Sequence, residues 1–104
     1  MINNLNQLKK ALQPGAKFTF TSHWREDSIG AERVVNKANS AAVYSYDANN
    51  PDSPVNRANG GDGYELRFGC ANNWTFKNGI ATFYKICHPG QDPKPMFALK
   101  LLEV

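Results

Sequence analysis

No apolar run in this sequence approaches the roughly 20 residues a helix needs to cross a bilayer. The opening stretch MINNLNQLKKALQPG has no basic region leading into an apolar one, so no secretory signal is expected. A soluble, cytoplasmic (intracellular) protein without membrane association is the reading. Charge of one sign is also lacking: 12 Lys and Arg against 9 Asp and Glu leave +3, with a pI of about 9.0. That balance favours anionic partners only mildly, because dedicated nucleic-acid binders gather more positive charge on one face. Cysteine is scarce, with Cys70 and Cys87 only. Inside a cell both are expected as thiols. Cys87 and His88 are neighbours, and neighbouring strand residues point to opposite faces, which argues against a shared zinc ion. Neither a metal nor a cofactor is expected.

Catalytic signatures are missing too. Gly60, Gly61 and Gly63 lead into a strand pattern, whereas a Walker A loop needs Gly-Lys-Ser/Thr opening a helix. Asp47, Asn49 and Asp52 do not match an EF-hand, and no Glu closes the loop. No Ser or Cys stands in a nucleophile signature. His23, Glu26 and Asp27 are close enough in sequence for an acid–base pair, although a solvated strand end and turn is the simpler reading. Strand–helix–strand repeats are absent, which excludes a parallel nucleotide-binding sheet. The expectation is a binding protein and not an enzyme, with a small modifying enzyme as the third reading.

What is present is a regular alternation. The chain of 104 residues is read as one domain, 1–104, with 41% apolar residues to fill a core. Residues 3–12 form a short amphipathic helix. Asn3 or Asn4 caps it, Leu5, Leu8 and Leu12 make one stripe, and Pro14-Gly15 stops it. After it the period changes to two. In KFTFTSHW, Phe18, Phe20 and Trp24 share one face, with Lys17, Thr19, Thr21 and His23 on the other. ERVVNKANSAAVYSY is a second β-region, broken near Asn39 and Ser40. YELRFG turns Tyr64, Leu66 and Phe68 inward, and MFALKLL does the same with Phe97, Leu99 and Leu101. In NNWTFKNGIATFYKI, Asn78-Gly79 is the preferred pair for a two-residue type I′ turn. It sets Lys77 opposite Ile80, Phe76 opposite Ala81 and Trp74 opposite Phe83. The fold class is α+β: a short N-terminal helix on a curved antiparallel sheet, or a partly open small β-barrel, of five to six strands.

The longest irregular segment is DANNPDSPVNRANGGDG, residues 47–63. Loops of this length inside a compact domain are often functional. It has two readings: a structural turn in which Gly supplies positive φ, or a binding loop with Arg57 at its tip. The binding reading adds the amides of Gly60, Gly61 and Gly63, which can face an anion, Asn59 beside them, and Arg67 on the outward face of the next strand. Arg33, Lys37, Tyr44 and Tyr46 can supply a basic and aromatic sheet face of the kind that binds oligonucleotides.

In order along the chain, LNQLKKAL, PGAKFTF, HW, ERVVNKANS and PVNRANGGDGYELRFGCANNWTFKNGIATFY resemble a family of small proteins carried by phages, plasmids and integrated elements. The resemblance spans nearly the whole chain and brings no catalytic residues with it. It implies an accessory protein of a mobile genetic element. Such proteins often bind and block a host defence complex, or handle the element's own DNA. The expected function is therefore a non-enzymatic inhibitor or adaptor binding a host protein or nucleoprotein complex, anti-CRISPR-like or otherwise anti-defence. The alternative is a nucleic-acid-binding accessory domain. Oligomeric state is left open.

Overall fold

The computed structural model describes residues 2–85 and 94–102. One helix, α1 (Leu5–Ala11), precedes seven strands: β1 (Lys17–His23), β2 (Arg33–Ala38), β3 (Ala42–Asp47), β4 (Tyr64–Arg67), β5 (Trp74–Lys77), β6 (Ile80–Lys85) and β7 (Lys94–Leu102). They form a single antiparallel sheet in the order β4-β3-β2-β1-β7-β6-β5. The sheet is open. Seven strands stand where five to six were expected, and the break after β2 explains part of the difference. The Asn39 side chain accepts from the amides of Ala41 and Ala42, which folds the chain back on itself.

The helix forms as its sequence directs. The Asn4 side chain accepts from the Gln7 amide at the first turn, and Lys9 and Lys10 lie in the last turn. A helix of seven residues is too short to persist alone. It persists here because Leu5, Leu8 and Leu12 are buried among Phe18, Phe20, Val35, Val43, Leu66, Phe68, Trp74 and Leu99 on the inner face of the sheet. The Asn78-Gly79 turn has positive φ at both residues, 54° and 77°, and gives the expected register with Trp74 opposite Phe83 and Phe76 opposite Ala81. Tyr64, Leu66, Phe68, Phe97 and Leu99 also take the faces that alternation assigns them.

One alternation fails. Phe20 pairs with Leu99 but Ser22 pairs with Ala98, so Thr21 is an extra residue in β1. A bulge of this kind advances the side-chain phase by one. His23 therefore joins Phe18 and Phe20 on the inner face, buried, while Trp24 turns outward and is 60% exposed. The expected placement of these two residues is reversed. Nor is His23 part of a solvated strand end.

The sheet is also uneven at its centre. β1 and β2 pair only through Lys17–Val34 and Phe18–Arg33. Past that point residues 24–32 loop out and return, bridging Ile29 to Phe20, with the Gly30 amide bonded to the Phe20 carbonyl at 3.0 Å. No helix among the described residues is long and apolar enough to cross a membrane.

Leu8 is fully buried, so Leu8→Ala removes both its transfer energy and its packing. The expected loss is about 2–5 kcal/mol, read as a lower denaturation midpoint. An unchanged midpoint would mean that α1 does not hold the sheet together.

Candidate functional site

Where β1 and β2 part, the inner face carries a polar cluster. Arg33 opens β2 opposite Asp47 at the end of β3, and only 3% of it is exposed. Its Nε donates to Ser45 Oγ at 3.0 Å and one terminal nitrogen to the Ser45 carbonyl at 3.5 Å. The guanidinium lies 5.2 Å from the centre of the Tyr64 ring and 5.8 Å from that of Phe20, an arrangement in which ring quadrupoles partly offset the lost hydration. Among the described residues it has no ion-pair partner. Burial holds its pKa below the ordinary value, while the charge of Asp47 works the other way.

His23 reaches the same cluster because of the bulge. Its ring is 4.5 Å from that of Phe20 and 5.8 Å from that of Tyr64. A backbone N–H can only donate, so Nδ1 accepts from the Arg25 amide at 2.9 Å. The neutral ring then carries its proton on Nε2, which donates to the Tyr64 hydroxyl at 3.2 Å. Burial, and next the Arg33 charge, hold the His23 pKa below 6.5. Burial raises that of Tyr64, opposed by the charges of Arg33 and Arg25. At the rim, Trp24 stacks on His23 at 5.0 Å, and the Arg25 guanidinium lies 5.9 Å from the Trp24 ring and 3.6 Å from Asp27. Glu26 and Asp27 lie in a solvated turn, as the simpler reading had them, but His23 does not. Asp27 pairs with Arg25, and His23 turns to Tyr64.

The residues singled out in the sequence lie elsewhere, with one exception. Arg33 is inside the sheet and so does not share an outer face with Lys37, Tyr44 and Tyr46. Those three do share it, and their charges are answered locally. Lys37 lies 3.6 Å from Asp62 and 5.8 Å from the centre of the Tyr44 ring. The Tyr44 hydroxyl donates to Glu65 at 2.8 Å, and Glu65 pairs with Arg67. Arg67 first and Tyr44 second hold the Glu65 carboxyl below its usual range. Tyr46 is 37% exposed beside Val34. Arg57 is at the surface, 3.9 Å from Asp52.

The glycine loop proves to be tied to itself. The amides of Gly61 and Gly63 both donate to the Ala58 carbonyl, at 3.1 and 3.0 Å. The Asp62 amide donates to the Asn59 carbonyl, and the Asn59 side chain to the Gly63 carbonyl at 2.8 Å. The amides of Gly61, Asp62 and Gly63 are thereby engaged within the loop. Gly63 has its own reason to be glycine. Its φ is +103°, and a Cβ there would fall 2.2 Å from the Ser45 carbonyl oxygen, the atom that also faces Arg33. The loop presses against the strand that holds the buried arginine.

Cys70 is exposed with a free thiol. Cys87 and His88 lie outside the described residues. Among the described residues no three His, Cys, Asp or Glu side chains gather as metal ligands would. No protein-family model matches the chain, and no curated protein or solved structure does either.

Two outcomes follow. Gly63→Ala should destabilise by about 1–3 kcal/mol more than Gly60→Ala, because both carry the positive-φ strain but only the first meets backbone. Equal denaturation midpoints for the two variants would contradict the close approach. For His23, the unfolded chain binds more protons between the lowered folded value and 6.5. Its contribution is therefore complete above 6.5 and is lost as pH falls toward the folded value. His23→Gln should flatten the loss of stability between about pH 7 and pH 5, measured as denaturation midpoints across that range. Parallel curves would place His23 in water.

Proposed function

We propose that this chain is a non-enzymatic binding protein, an inhibitor or adaptor of a mobile genetic element that docks on a host protein through Trp24. The observation that carries this reading is the exposure of Trp24 at 60% and Ile29 at 44%, both on the loop between β1 and β2, in a protein whose other tryptophan is buried. Tryptophan and arginine dominate the energetic centres of protein interfaces. Here Arg25 stands over the Trp24 ring, and the buried His23 ring backs it. An anchor held in place before docking loses little freedom on binding. The ion pairs around the glycine loop and the β3–β4 face also argue against a phosphate-reading platform there.

A second reading, nucleic-acid binding, draws on a different face. All described acidic residues fall between Glu26 and Glu65, whereas residues 66–85 and 94–102 hold Arg67, Lys77, Lys85, Lys94 and Lys100. Lys85 faces Lys94 directly across β6 and β7, and Lys77 and Lys100 flank Ile80. Like charges placed opposite one another repel, and a polyanion would relieve them.

The two readings separate in paired experiments. Capture of a host protein from lysate by the wild-type chain, lost with Trp24→Ala and kept with Lys77→Ala/Lys100→Ala, is the expected result. Submicromolar binding of single- or double-stranded nucleic acid at about 150 mM salt, weakened by the lysine pair and not by Trp24→Ala, would reverse the order.

A further inference from the structure

The cluster beneath Trp24 contains more hydrogen-bond donors than acceptors. Ser45 Oγ and the Ser45 carbonyl are used by Arg33, and His23 Nδ1 is used by the Arg25 amide. The Tyr64 hydroxyl oxygen receives the His23 Nε2–H. Its own hydrogen has no acceptor among the described residues. The second terminal nitrogen of Arg33 also has none among the described residues, although the residue is almost wholly withdrawn from solvent. That nitrogen is not sealed in: among the described side chains the only polar atom both enclosed and unpaired is Thr19 Oγ1. It therefore keeps contact with solvent at the rim of the cluster.

Charge tells the same story as the donors. The guanidinium groups of Arg33 and Arg25 both act on His23 and Tyr64. The acids nearby are Asp27, engaged by Arg25, and Asp47, whose Oδ1 accepts from the Asn49 amide. A buried guanidinium is normally matched by a carboxylate in a forked pair. Arg33 has instead a serine, two aromatic faces and an acid beyond ion-pair distance.

We propose that this cluster is a binding site for an oxyanion, a carboxylate or a phosphate group, taken by the unspent N–H groups of Arg33 and the O–H of Tyr64. The ligand enters beside Trp24, where the cluster reaches the surface. His23 positions the site: by donating to the Tyr64 oxygen it leaves the phenol hydrogen free to turn toward the ligand. The inference is independent of the docking role given to Trp24, since its donors lie beneath that side chain.

The test is an NMR titration of the full chain with sodium phosphate and, separately, sodium acetate, with sodium chloride as the ionic-strength control. Saturable shifts of the Arg33 Nε–H and the His23 ring are expected with at least one of the two oxyanions, together with a rise in the His23 titration midpoint, because a bound negative charge favours the imidazolium. Tighter binding of phosphate or of acetate identifies which group the cluster prefers. Arg33→Gln removes a support of the fold along with the ligand contact, so Tyr64→Phe is the deciding variant. It keeps the ring beside Arg33 and removes only the donor, and it should weaken binding about tenfold or more, as expected for a lost hydrogen bond to a charged group. Shifts that grow linearly and equally with chloride, or a Tyr64→Phe protein that binds as tightly as the wild type, would overturn the proposal.

Discussion

A single arginine sets the terms for the centre of this sheet. Placing a guanidinium inside a small β domain costs several kcal/mol unless its surroundings replace the water it loses. Each neighbouring segment supplies part of that replacement. β3 contributes the Ser45 hydroxyl and carbonyl, β1 contributes the Phe20 face, β4 contributes the Tyr64 face, and Asp47 offers its charge from across the strand pair. The early separation of β1 from β2 gives the group room. Gly63 lets the loop before β4 close down on Ser45. Remove the arginine, and these features have no common purpose.

Much of the fold was legible because it rests on short-range rules. The leucine stripe of α1, the Asn78-Gly79 turn and the alternation in YELRFG and MFALKLL each hold within one element. The site was less legible, since it depends on two things that alternation cannot report. The first is the extra residue in β1. Thr21 and Ser22 are both small and polar, and such a pair signals neither a bulge nor its absence, yet the bulge decides whether His23 or Trp24 faces the core. The second is the depth of Arg33. Arginine in a strand ordinarily lies at the surface, and nothing local to ERVV announces that both Phe20 and Tyr64 will converge on it.

The glycine loop is a different case, a sequence that suggests a ligand and a structure that supplies partners to part of the loop itself. Positive φ at Asn59, Gly60, Gly61 and Gly63 is the backbone habit of anion-binding nests as well as of tight turns. What separates the two is where the amide hydrogens go, and three of them go to Ala58 and Asn59.

The open sheet has two free margins, β4 and β5, and they are neighbours in the chain. Residues 68–73 join them, and Trp74 Nε1 donates to the Phe68 carbonyl at 2.6 Å across the join. Each margin is a strand of only four residues, ending in Arg67 or Lys77. A free strand edge is a template on which another chain can add and propagate, and short, charged edges are how β proteins resist this. Here the resistance comes with the connectivity: the same six-residue link that leaves the sheet unclosed also stands guard between its two open sides, so that an incoming strand finds little length to grip on either one.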